Sequence, residues 1–106
     1  MIGKRILATA VGAALLTGAG AAGAQTPGVT DSEILVGALG VLTGPLYNNG
    51  KTIYNGVEAV YDKVNKAGGI NGRKLRYVRE DDKCQPADAI GAVKKLIHEH
   101  KVFMIH

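Results

Sequence analysis

The sequence predicts an α/β fold with a parallel three-stranded sheet in the order 2-1-3, and three observations carry that expectation. The run from Ile34 to Leu42 is apolar almost without interruption, the composition of a strand buried on both faces. Two stretches with helical spacing of apolar residues follow it, with a short strand pattern between them. The connections are long enough for parallel crossovers, which places helices on both faces of the sheet.

Taken in order, Gln25-Thr26-Pro27-Gly28 reads as a disordered lead-in, and Ile34, Leu35, Val36, Ala38, Leu39, Val41 and Leu42 form the first strand. Thr43-Gly44-Pro45 ends it, and Tyr47, Asn48, Asn49 and Gly50 are expected to form a polar loop. A helix is predicted from Thr52 to Ala67, because Ile53, Val57, Val60, Tyr61 and Val64 recur at three- and four-residue steps. Gly68-Gly69 stops it, and Ile70-Asn71-Gly72-Arg73 makes a tight turn.

Leu75, Tyr77 and Val78 define a second strand over Lys74 to Glu80, closed by the polar group Asp81 to Pro86. Pro86 at a first helical position and Asp88 in the first turn start a second helix, with Ala89, Ile90, Val93, Leu96 and Ile97 as its expected core face. Val102 to Ile105 open a third strand. A sheet this small buries about 60% of its unfolded surface and leaves an apolar edge open, so the chain is expected to be the front part of a larger protein.

Composition narrows the classes of function. The chain has 106 residues, 46% of them hydrophobic and 21% charged, which suits a folded domain. Lys4 and Arg5 stand before a stretch from Ile6 to Thr30 that carries no charge, and Ala22-Gly23-Ala24 supplies small residues in an A-x-A pattern. Residues 1–24 are therefore expected to be a cleaved export signal, with 25–106 as the mature portion. Gly12, Gly18, Gly20 and Gly23 make this stretch weakly hydrophobic for a membrane span, and no cysteine near the cleavage site could carry a lipid anchor. Without Lys4 and Arg5 the charge is nearly balanced, so nucleic-acid binding loses its support.

Gly44 to Thr52 approaches a phosphate-binding loop but places five residues between its glycines instead of four, and Pro45 has no N–H to offer. The same loop lies beyond the carboxyl end of a strand and before a helix, where open α/β sheets bind ligands. Thr43, Tyr47, Asn48 and Asn49 are its candidate contacts. Asp81-Asp82 is either a carboxylate pair for a cation or ordinary loop and cap chemistry, with the second preferred.

His98 and His100, two apart on a helix, point away from each other and do not chelate together, and His106 stands alone. Cys84 is the single cysteine, without a local activator, and no cofactor or metal is implied. Tyr54 and Tyr61 share a helical face and read as packing. Arg73, Lys74, Arg76 and Arg79 read as a solvated strand edge.

The chain resembles the periplasmic substrate-binding proteins of ABC transporters for branched-chain amino acids, the leucine/isoleucine/valine-binding type. The resemblance is carried by Ile34 to Val41 with Thr43-Gly44-Pro45, Asn55-Gly56 with Glu58-Ala59, and Asp81-Asp82 leading to Cys84 and Pro86. Its most specific part is the Asn-x-x-Gly-Gly-Ile-x-Gly-x-x-Leu string from Asn65 to Leu75.

The resemblance implies a type I periplasmic binding fold of two hinged lobes, of which this chain is the beginning of the first. It implies a non-enzymatic role in the periplasm: capture of an amino acid, amide or aromatic acid and delivery to an inner-membrane ABC permease, without a cofactor. It also implies a disulfide from Cys84 to a partner beyond His106. Within this chain the Thr43–Gly50 loop, with Thr43, Tyr47 and Asn49, is the expected ligand-facing part. Asn49 stands where leucine-binding members often carry an aromatic residue, which puts a branched aliphatic ligand in doubt. A ligand sensor on the same fold, or an exported metal-dependent enzyme using Asp81 and Asp82, are the alternatives.

Overall fold

The computed structural model describes residues 25–106, so the expected export signal over residues 1–24 lies outside the described residues. The elements are β1 (Glu33–Gly40), α1 (Tyr47–Lys66), β2 (Lys74–Asp81), α2 (Pro86–His98) and β3 (Met104–Ile105). The strands form one sheet in the order β2-β1-β3, with β1 parallel to both neighbours. Val36 aligns with Tyr77 on one side and Met104 on the other.

The two helices take opposite faces, and two small residues on β1 let them come close. A Cβ on Gly37 would meet the Leu96 and Val102 side chains, so that face belongs to α2 and the turn after it. A Cβ on Gly40 would meet the Tyr54 hydroxyl, so the other face belongs to α1. The core is Val36, Ala38, Tyr54, Ala92, Leu96 and Val102. On the α1 face, Tyr77 meets Tyr54 and Tyr61 edge to face with ring centroids 6.2 and 5.3 Å apart, and stacks on His106 at 5.4 Å. Tyr54 and Tyr61 therefore pack on one side of α1, as their spacing predicts.

The turn that leads into β2 shows why its residue types are needed. Asn71 and Gly72 both have positive φ, at 49° and 79°, the signature of a type I′ turn. Ile70 and Arg73 exchange both backbone hydrogen bonds across it, at 2.7 and 2.9 Å. Gly69 is held against the Arg73 carbonyl, where a Cβ would lie 2.0 Å from the oxygen. Asn65 then closes the unit: its amide donates to the Leu75 carbonyl at 2.8 Å, and its side-chain oxygen accepts the Leu75 N–H at 2.7 Å. A helix side chain thus plays the part of a neighbouring strand for β2, which has no strand partner on its outer side among the described residues.

Four local expectations are corrected. Tyr47, Asn48, Asn49 and Gly50 form the first turn of α1 and not a loop. Gly50 is the reason, because a Cβ there would lie 1.8 Å from the Val41 carbonyl oxygen, and only glycine lets the helix begin this close to the end of β1. The core face of α2 is Ala92 and Leu96 with half-buried Ala89 and Val93, whereas Ile90 and Ile97 are 60% and 50% exposed. The helix lies over β1 and β2 and its Ile90–Ile97 stripe points past the sheet.

β3 is shorter than expected, because Lys101 has a positive φ of 52° and Val102 turns inward beneath Gly37 before the ladder starts at Met104. The lead-in is ordered from Gly28. Leu35 donates to the Gly28 carbonyl at 2.7 Å, Val29 bridges Ile34, and Gly28 lies against the Val102–Phe103 backbone.

Candidate functional site

The carboxyl ends of the parallel strands meet the amino end of α1, and the crossing between them is fixed by one carboxylate. Asp81, the last residue of β2, accepts the Leu42 N–H through Oδ1 at 2.9 Å and the Thr43 hydroxyl through Oδ2. It also accepts the Lys83 N–H at 2.9 Å. These donors favour the ionised form, the Thr43 hydroxyl most of all, and hold the Asp81 carboxyl at about 2 against an ordinary 3.8. Asp82 accepts the Cys84 N–H at 2.8 Å, turning the chain through Lys83 and Cys84, both with positive φ.

The pair is therefore loop chemistry, as preferred from sequence, and no cluster of three metal-ligating side chains occurs among the described residues. The histidines are dispersed: His100 Nε2 lies 2.7 Å from Glu80 Oε1, while His106 stacks on Tyr77. The α2 helix ends at His98, so His98 and His100 do not share it. Cys84 is exposed. Of the basic stretch, Arg76 pairs with Glu33 at 3.5 Å and Arg79 with Glu58 at 3.2 Å, both at the surface.

At this end Thr43, Tyr47 and Asn49 stand on one short segment. Thr43 is tied back to Asp81 by its hydroxyl. Tyr47 is half exposed, with the Lys51 ammonium 5.9 Å from its ring centre. Asn49 lines a cavity of about 220 Å³ together with Leu39, Gly40, Val41, Leu46, Gly50, Ile53 and Tyr54. The α1 amino terminus beside it has no side-chain cap and no acidic residue in its first turn, so its partial positive charge is not neutralised locally.

Sequence reasoning treated Tyr54 as packing alone and missed its other end. The residue is 4% exposed, yet its hydroxyl has no hydrogen-bond partner among the described residues. Burial, with Asp82 nearby, raises its pKa, so it is a neutral donor near pH 7. Tyr77 is pushed further, to about 12, chiefly by burial. No spacing rule finds an unpartnered hydroxyl; only the position of Gly40 under the ring exposes it.

Residues 33–106 match the family of periplasmic binding proteins. The chain belongs to this family. Among similar members are an amino acid binding protein of Pseudomonas aeruginosa, 30% identical over 74 residues, and a Leu/Ile/Val-binding protein of Escherichia coli, 32% identical over 73 residues. These alignments take in 70% and 69% of this periplasmic binding protein chain, which spans 20% of each relative's length.

Solved structures agree on the fold. A fatty acid ABC transporter substrate-binding protein from Thermomonospora curvata superimposes with a TM-score of 0.68 at 33% identity, over 77% of this chain and 21% of that one. A branched-chain amino acid transporter substrate-binding protein from Streptococcus pneumoniae, in complex with isoleucine, gives 0.65 at 28% identity, over 70% and 21%. The β2-β1-β3 arrangement is thus that of a periplasmic binding protein, as the sequence predicts.

Proposed function

We propose that this chain is the N-terminal part of the first lobe of an exported solute-binding protein, and that the complete protein captures an amino acid or related small carboxylate for an ABC importer. The single observation that carries this reading is the family match over residues 33–106. The relatives' names add the ligand class, amino acids in most, and the fatty-acid transporter component warns that the class varies within the fold. Residues 1–24 serve as the export signal and are removed in the periplasm. The protein is no enzyme: it works by closing its lobes on the ligand and presenting the closed form to an inner-membrane permease.

Within the described residues, Thr43, Tyr47 and Asn49 form the ligand-facing wall of this lobe. The Asp81 latch fixes the crossing that carries Thr43, and the packing of Gly50 on Val41 fixes where the turn carrying Tyr47 and Asn49 begins. Cys84, exposed at the mouth of the following loop, pairs with a cysteine further along the complete chain.

The test is calorimetric titration of the complete protein with neutral amino acids, amides and aromatic acids. One ligand binds at a single site, and Tyr47→Ala weakens it at least fivefold. Unchanged affinity in that variant removes Tyr47 from the wall, and binding of nothing in the panel removes the solute-binding reading. A sensor differs from a transporter component in its protein partner alone, so capture of a permease or of a signalling protein by the ligand-loaded form separates the two.

A further inference from the structure

The Asp81 latch fixes more than the place of the crossing, because it also fixes the direction of one proton. A hydroxyl has a single proton to donate and lone pairs with which to accept, whereas an ionised carboxylate only accepts. The Asp81 carboxyl, held at about 2, is ionised at neutral pH. Thr43 therefore gives its one proton to Asp81 Oδ2 and has none left for another partner while that bond holds. The other carboxylate oxygen, Oδ1, is taken by the Leu42 and Lys83 N–H groups, at 2.9 Å each.

Thr43 is exposed just beyond the carboxyl end of β1, so the remaining lone pairs of its oxygen are what it offers to a solute. Donation to a charged carboxylate polarises the hydroxyl and makes its oxygen a better acceptor. The negative charge behind it adds attraction for a cationic group. This corner of the wall is thus an acceptor backed by a carboxylate.

We propose that Thr43 is a specificity-determining residue whose hydroxyl, turned by Asp81, accepts a hydrogen bond from the ammonium group of an amino acid ligand. The proposal rests on the solute-binding reading above and narrows its ligand class from small carboxylates at large to those that carry an ammonium group. Asp81 acts through Thr43 and is a positioning residue. Asp81→Asn separates holding the crossing from orienting the proton. An asparagine that keeps its oxygen on the Leu42 and Lys83 N–H groups sets its NH2 against Thr43, and that group donates. The Thr43 hydroxyl then accepts from within and turns its own proton outward. Thr43→Val keeps the shape and the Asp81 charge and removes the hydroxyl.

The experiment is calorimetry on the complete protein with L-leucine, L-phenylalanine and any other neutral amino acid that binds, each against its own 2-oxo acid. The members of a pair differ in an ammonium group that only donates and a ketone oxygen that only accepts. The expected result is a wild-type preference for the amino acid that falls about tenfold or more in both Asp81→Asn and Thr43→Val. A ratio unchanged in either variant overturns the proposal: in Thr43→Val it leaves only the bare charge of Asp81, and in Asp81→Asn it removes the carboxylate's hold on the proton. An equal loss of affinity for both members of a pair reduces the latch to a structural role and overturns it too. So does a wild-type preference for the 2-oxo acids, or binding of amides or aromatic acids without amino acids, while solute binding stands. Should Asp81→Asn fail to fold, Thr43→Val alone decides. If wild type binds no amino acid, amide or aromatic acid at all, both readings fail together.

Discussion

Asp81 carries more of the local structure than its half-exposed position suggests, because three donors from two loops converge on one carboxylate. Its folded-state pKa of about 2 lies below the ordinary 3.8, so the folded protein binds fewer protons there than the unfolded chain. The latch therefore contributes its full stabilisation above the ordinary carboxylate value, and loses it as the pH falls from about 4 to 2. Asp81→Asn lowers the melting temperature at neutral pH and flattens its decline over that acid range; a melting curve unchanged at neutral pH would show the latch to be idle.

Asn65 makes a different kind of prediction. Both of its hydrogen bonds go to Leu75 on an edge strand, so Asn65→Ala takes the partner from both the N–H and the carbonyl of that residue at a cost of about 1–3 kcal/mol, readable by denaturant titration. The acidic pair was legible in the sequence as loop chemistry. The Asn65 latch was not, because the resemblance flagged its motif without saying that the first and last residues touch.

The two helices illustrate what periodicity reads well and what it misses. Spacing gave α1 its stop at Gly68-Gly69 and the half-buried Val57, Tyr61 and Val64 of its inner face, but it also placed there Ile53 and Val60, which are largely exposed; Pro86 marked the start of α2. It failed at the first turn of α1, where Tyr-Asn-Asn-Gly has the composition of a loop and is made helical by tertiary contact. Gly50 beneath the Val41 carbonyl is that contact, and a larger side chain forces the helix away from β1. Gly50→Ala is expected to cost about 1–3 kcal/mol in thermal or denaturant unfolding, well beyond what helix propensity would predict in the opposite direction. Spacing also misjudged Ile90 and Ile97, since a helical stripe wider than the sheet beneath it cannot all be covered. That Thr43, Tyr47 and Asn49 stand together beyond the end of β1 was legible from their place between strand and helix, whereas the burial of the Tyr54 hydroxyl was not.

At the scale of the molecule, the described residues leave apolar surface that a finished core would cover. Ile53 and Val60 on α1 are 65% and 58% exposed, and with Met104 and His106 they line a cavity of about 570 Å³ beside the short β3. Burying such a surface is worth about 25 cal/mol per Å² of apolar area, a large loss for a sheet of three strands. Residues 25–106 expressed alone are therefore expected to melt over a broad range and to self-associate through this face. A sharp, concentration-independent transition would show instead that the unit is self-sufficient.

The function proposed for the complete protein is that of a two-lobed binder that closes on a small solute. Small-angle X-ray scattering of that protein, with and without a saturating mixture of neutral amino acids and their amides, tests it most directly. The expected result is a particle of two lobes whose radius of gyration contracts when the mixture is added and recovers on dialysis. A radius that does not change, in a protein shown to be folded, would contradict it.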